Sequence, residues 1–256
     1  MGDSQRQQPP LNPSPRPEPH GARLNHLLGA LPEVDFERMA RHLEPITLRL
    51  GEPIYEPGSR LHHAIFPTTS IVSLHYVTAT GATVETAAVG KEGMVGLALF
   101  MGGETTASSA RVLVAGGAVR MPADELRRMF GSVSALRTLL LRHALSLTAQ
   151  ITLLGACNRH HSIEQQFCRW LLCALDRLPS DHLVMTHELV SHTLGVRRES
   201  ITEAAVRLQT AGVIRYRRGH ISVLDRAELE NRACECYAVV KREQLRLLAP
   251  IPPSHG

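Results

Sequence analysis

The stretch LVSHTLGVRRESITEAAVRL, residues 189–208, constrains this chain more than any other. Counted from Gly195, apolar residues stand five before (Val190), one before (Leu194), one after (Val196), six after (Ile201) and nine after (Ala204). The small Ser191 stands four before, where two crossing helices come close. This spacing predicts a helix, a tight glycine turn and a second helix packed across the first. Thr186 can cap the first helix, and Glu188 complements its dipole. The second helix opens on Arg197 and Arg198 with no acidic cap. Cations oppose the positive end of a helix dipole, so the arrangement makes sense only with that end pressed against something negative. Next, AGVIRYRRGHISVLD (211–225) reads as a glycine stop at Gly212, a strand, a turn at Arg218-Gly219 and another strand.

That order is a winged helix-turn-helix, whose second helix lies in a DNA major groove. The charge agrees. Six arginines and two glutamates fall between Gly195 and His220, a local excess as large as the net +4 of all 256 residues. Such a footprint points to a polyanion, although a merely solvated basic face would look alike. Arginine can donate twice to guanine, and a carboxylate can accept from cytosine. Candidate base readers are therefore Arg198 and Glu199, with Ser200, Thr202 and Glu203 beside them. Thr186, Arg197, Arg215, Arg217 and Arg218 are candidates for phosphate. An intrahelical pair of Glu199 with Arg197, or with neighbours on the Glu203 side, is the competing reading.

Upstream, residues 1–22 hold six prolines and almost nothing apolar, and read as a disordered tail. A helical stretch near Leu24–Leu43 precedes short β-rich runs over 46–122, broken by glycine and proline, which argue for a small sandwich or barrel. A long helix is expected at 126–158. In it Leu140, Ala144, Leu147, Ile151 and Leu154 recur at steps of four and three, the seam of a helix packed lengthwise on a partner. The same face could instead cover the sandwich of its own chain. A second amphipathic helix, about 162–178, ends at a Pro-Ser-Asp turn.

No apolar run approaches the ~20 residues of a membrane span, and no signal pattern opens the chain, so a cytoplasmic protein without membrane contact is expected. Five cysteines, an odd number, suit a reducing compartment. No Walker loop, dinucleotide fingerprint, Gly-x-Ser-x-Gly or His-Glu-x-x-His motif is present, which argues against an enzyme.

Taken together, residues 24–226 resemble the Crp–Fnr superfamily of bacterial transcription regulators, most closely where G-x-x-R-E-[ST]-[VI] matches Gly195 to Ile201. The resemblance implies an α+β chain: a jelly-roll-like β-roll sensor (23–125), a dimerisation helix (126–158), a winged helix-turn-helix (159–226) and a helical, polar tail (227–256). It implies a homodimer on a near-palindromic operator in double-stranded DNA, acting on RNA polymerase. Arg198 and Glu199 take the family's base-reading positions. A third position, often arginine, is Glu203 here, which alters the expected half-site. The resemblance also covers EGMVGLALFMGGETTASSARVLV (92–114), where cyclic-nucleotide-binding relatives carry a Gly-Glu pair and later Arg-Ser-Ala. Here Gly96 is followed by Leu97, and the Arg-Ser position reads Ser108-Ser109. A buried phosphate without a cation loses heavily on desolvation. Arg111, in an alternating strand, should point away from Ala110. Tight cAMP binding is not expected, and no cofactor is. An unknown small molecule would have Val95, Gly96, Leu97, Leu99, Ser108, Ser109 and Arg111 for its pocket. Cys168 and Cys173 read as buried structural thiols. Cys234-Glu235-Cys236 is a weak metal candidate that His160 or His161 could complete. A metal- or thiol-responsive regulator, and a nucleotide-binding module without DNA function, are the alternatives.

Overall fold

The computed structural model describes residues 19–178 and 181–248. Most of the expected tail, and residues 249–256, lie outside them. Residues 19–22 do not belong to a tail: Pro19–Leu24 forms a 3-10 turn, and Ala22 is buried in the first core.

Two short helices, α1 (His26–Gly29) and α2 (Glu33–Ala40), cap one end of the β-roll. Asn25 fastens them. Its Oδ1 accepts from the Leu27 and Leu28 N–H groups, and its Nδ2 donates to the carbonyls of Pro67 and Gly93. The β-roll follows as β1 (Glu44–Leu48), β2 (Pro53–Tyr55), β3 (His63–Pro67), β4 (Ile71–Val77), β5 (Thr83–Val89), β6 (Ser109–Val114) and β7 (Gly116–Pro122). They form two antiparallel sheets, β1-β7-β3 and β2-β6-β4-β5. Alternation along each strand sets what faces inward. Ile65, Val72, Leu74, Ala87, Val89, Ala110, Val112 and Ala118 share one buried cluster. Residues 64–77, read as one strand-like run, are two strands separated by Thr68–Ser70, and β2 was not anticipated.

The single helix expected at 126–158 is two: α3 (Ala123–Ser132) and α4 (Ser134–His160). Val133 between them is extended (φ −111°, ψ 99°) with its side chain in the core. Gly131-Ser132-Val133-Ser134 is a run of weak helix formers, so a break there is inexpensive.

The seam also needs correction. Leu140, Ala144 and Leu147 are buried within their own chain. They share α4's inner face with Leu136, Leu139 and His143. Leu154 is half-buried. Of the five, only Ile151 is exposed, and the apolar side chains α4 leaves uncovered are Leu141, Leu145 and Ile151. Because apolar residues occupy both faces, α4 is by length and composition long and apolar enough to cross a membrane, contrary to the sequence expectation. In this fold its inner face packs on the β-roll and on the last described helix.

A capping box at Ser162 and Gln165 opens α5 (Ile163–Leu175) directly after α4. Then come β8 (His182–Val184), α6 (His187–Leu194), α7 (Arg198–Thr210), β9 (Ile214–Arg217), β10 (His220–Val223), α8 (Arg226–Arg232) and α9 (Cys236–Leu247). The small sheet runs β8-β10-β9, one strand more than expected. Phe167, Leu171, Val190, Leu194, Ile201, Ala204, Leu208 and Ile221 bury together as the core of this domain. The tail is not a polar appendage, since α9 packs along α4.

Candidate nucleic-acid interface

The turn between α6 and α7 follows the register of the apolar residues. Thr186 Oγ1 accepts from the Leu189 N–H, capping α6. Gly195 ends α6 in the left-handed region (φ 66°), where a β-carbon is disfavoured. Val190, Leu194, Ile201, Ala204 and Leu208 are buried between the helices, so α7 turns its other face outward. Arg197 caps α7 without a side-chain bond, and the first turn presents Arg197, Arg198 and Glu199, all exposed. None of the three forms an ion pair among the described residues, and neither does Glu203; the expected alternative, a Glu199–Arg197 pair, does not form. Arg207, part of the basic count, is instead held by Glu164 at 2.6 Å.

Two candidate readers are less free than expected. Thr202 Oγ1 donates to the Arg198 carbonyl at 3.0 Å and lies 3.1 Å from His187 Nδ1. Ser200 is half-buried. Sequence reasoning missed His187 altogether. Its ring stacks on Tyr216 of β9 (centroids 4.1 Å apart), so it joins the wing to α7. Burial and the neighbouring Arg198 charge both hold His187 below the usual histidine range, keeping it neutral at neutral pH.

The wing turn is Arg217-Arg218-Gly219-His220, with both central residues at positive φ (51° and 80°). That is the arrangement of a type I′ hairpin, which prefers Asn-Gly. Arg218 is the one described non-glycine residue at positive φ. Such placements carry strain of about 1–2 kcal/mol. Arg215, Arg217 and Arg218 are exposed on this wing, without ion pairs among the described residues.

The segment expected to meet an effector divides. Val95 and Leu97 pack in the β-roll core, whereas Leu99 joins the core under α3 and α4. Gly96 takes a left-handed conformation (φ 110°). Arg111 does point away from buried Ala110: it pairs with Glu56 at 2.8 Å and reaches the Gly51 carbonyl. None of the seven expected pocket residues lines the cavity of about 620 Å³ at the β-roll mouth, whose walls include Leu48, Ile54, Tyr55, Leu61, Ile65 and Arg120. Ser109 and Arg111 border a different space of about 410 Å³, between the β-roll and α6.

Residues 92–94 are engaged elsewhere. Glu92 receives Arg177 Nε, from the turn after α5, at 2.7 Å; the Arg177 side chain is buried and that of Glu92 is 15% exposed. His143 Nε2 on α4 lies 3.1 Å from Met94 N and 3.0 Å from Met94 O. A β-carbon on Gly93 would meet the His143 ring at 2.3 Å, so only glycine fits. Gly195 in turn rests on Val84 of β5. This loop thus touches both the long helix and the C-terminal domain.

Cys168 and Cys173 are buried as expected, and burial pushes the Cys168 thiol up to about 12. Cys234 and Cys236 are not solvent-facing tail residues: with Cys157 and His161 they gather their ligand atoms within 4.8 Å of one another. His160 stays exposed and outside the group.

Comparison with known proteins bears on the C-terminal domain most directly. Residues 165–232 match the Crp-like helix-turn-helix domain family. No curated protein sequence matches the chain. In fold it is similar to a protein of the Crp/Fnr family from Eubacterium rectale (16% identity, TM-score 0.63, covering 80% of this chain and 96% of that one). It is similar also to FixK2 from Bradyrhizobium japonicum (15%, 0.63, 75% and 98%). A CRP-family transcriptional regulator from Thermus thermophilus gives 18%, 0.60, 73% and 96%. Residues 165–232 thus form a Crp-like helix-turn-helix domain, and the chain as a whole shares its fold with these structures.

Proposed function

We propose that this chain is a transcription regulator of the Crp/Fnr type, two copies of which, in the cytoplasm, bind a near-palindromic operator through paired α7 helices, act on RNA polymerase there, and do so without a cyclic nucleotide. One observation carries the DNA reading: the N-terminal turn of α7 exposes Arg197, Arg198 and Glu199 with no partner of their own among the described residues. Half-site centres are expected about 10 bp apart, one helical turn. Arg198→Ala should lose about 1–3 kcal/mol of operator affinity and relax the preference at one guanine. Arg217→Ala should weaken every sequence alike and flatten the salt dependence. Competition binding against single-base operator variants separates the two. Uniform weakening by Arg198→Ala would show that it reads no base.

The effector reading rests on Arg111, whose guanidinium is turned out of the β-roll and paired with Glu56. A cyclic phosphate inside the roll would find no cation from the segment expected to supply one. A ligand shifts an equilibrium only through differential affinity for its two states, so cAMP should leave operator binding unchanged. Calorimetric titration with cAMP and cGMP, repeated as operator binding with each present, checks this. Saturable binding that also tightens the operator complex would reverse the reading.

A further inference from the structure

Cys157 and His161 stand just before the helix-turn-helix domain in the sequence, and Cys234 and Cys236 just after it. Cys157 lies in the last turn of α4, and His161 is that helix's C-cap, so the four-residue spacing stacks both on one face. Cys234 and Cys236 flank Glu235 where α9 begins. Cys157 Sγ lies 3.5 Å from Cys234 Sγ, and Cys236 Sγ lies 3.7 Å from His161 Nδ1. A tetrahedral zinc-type ion, with metal–sulfur bonds near 2.3 Å, sets its ligand sulfurs about 3.8 Å apart. All three thiols are buried.

Two neighbours make the group more than a packing of cysteines. His161 Nε2 is 3.2 Å from Glu235 Oε1, and a carboxylate there fixes the tautomer that leaves Nδ1 as the free lone pair. Nδ1 is the atom facing Cys236. The second neighbour is Arg169 of α5, 5% exposed, whose Nε and Nη2 have no hydrogen-bond partner among the described residues. Its charge sits against the sulfurs of Cys157, Cys173 and Cys234. A buried guanidinium facing neutral thiols is unfavourable. Three thiolates, a neutral imidazole and a divalent cation carry net −1, which one arginine cancels.

From this geometry we infer that Cys157, His161, Cys234 and Cys236 form a Cys3His site for a thiophilic divalent cation of the zinc class, with Glu235 orienting the histidine and Arg169 balancing the charge. Binding releases the thiol protons to solvent and changes no oxidation state. The site stands on these residues alone and does not depend on how the protein reads DNA.

Full-length protein, stripped with chelator and kept reduced, would be titrated with cobalt(II). The expected result is one equivalent per chain, with thiolate-to-cobalt charge transfer and the intense visible bands of tetrahedral cobalt, both removed by zinc. Cys236→Ala should abolish the charge-transfer band or weaken affinity beyond what loss of an outer partner does. Glu235→Gln, which keeps all four ligands, should weaken binding by about 10–100-fold. Cys168→Ala, away from the group, should bind as wild type does. Zinc should also raise the melting temperature of wild type and not of Cys236→Ala, which is readable even if that variant is less stable. Wild type giving no cobalt–thiolate absorption with its thiols shown to be reduced would overturn the proposal. So would a Cys236→Ala protein that binds as wild type does, or Cys157 and Cys234 found as a disulfide in protein that takes up no metal.

Discussion

Arg177→Ala is expected to lower folding stability by about 3–5 kcal/mol, the range for stranding one member of a buried ion pair. Arg177 spends its guanidinium entirely inside the protein. Nε goes to Glu92, Nη1 to the Cys173 carbonyl at 2.7 Å and Nη2 to the Ala88 carbonyl at 3.1 Å. Without it, the Glu92 carboxylate keeps only backbone N–H donors, those of Gly90 and of Glu92 itself. Burial by itself raises the Glu92 carboxyl, but the Arg177 charge and the bonds from Arg177 and Gly90 outweigh it and hold the group below its ordinary 4.5. The sign follows. Between the folded and unfolded values the unfolded chain binds more protons, so this contribution is complete above 4.5 and is lost as pH falls through the folded value. Urea denaturation of wild type and variant, at neutral pH and stepwise into acid, measures both effects. The difference between the proteins should shrink in acid. A neutral-pH loss under about 0.5 kcal/mol, the range of ordinary surface changes, would mean that the pair holds nothing together.

The second large effect is on assembly. Leu145 is 54% exposed in the single chain, whereas Leu147, two residues on, is 5% exposed. Leu145→Asp should therefore fold normally and yet separate the dimer at micromolar concentration, with operator affinity falling by about 10²–10⁴-fold as the linked second half-site is lost. Leu147→Asp should instead destabilise each chain, because it buries a charge against the β-roll. Sedimentation velocity with circular dichroism distinguishes the two outcomes. A Leu145→Asp protein that sediments as the wild-type dimer would place the seam elsewhere.

That contrast also shows what could be read from residue order. The Gly195 register was legible because two crossing helices need apolar residues at fixed offsets from one turn. The strands β5 to β7 were legible from alternation and the glycines between them. For α4 the periodicity was real, but it could not say which chain lay against it. Leu140, Ala144 and Leu147 are buried in their own chain and leave Leu141 and Leu145 exposed. The break at Val133 rests on four weak helix formers whose effect is decided by packing. Three-residue strands such as β2 and β8 hold too few residues to show a period. Glu92, His143 and Arg177 share no motif, since 85 residues separate the ion pair and only tertiary folding brings it together. The C-x-C pair was visible, whereas its completion by Cys157, 77 residues before Cys234, was not.

That meeting of Cys157 and Cys234 has a mechanical consequence. The polypeptide enters the DNA-binding domain and leaves it at one point, because the end of α4 and the start of α9 touch there. A body hung from a single pivot can swing but cannot slide. In a dimer, the distance between the two pivots is then fixed by how the α4 helices cross. The tilt of each domain is fixed separately, by the latches Glu92–Arg177 and Val84–Gly195 on the β-roll. Distance and tilt are thus tuned by different residues, and a change at the latches would re-aim α7 while leaving the span between pivots as it was.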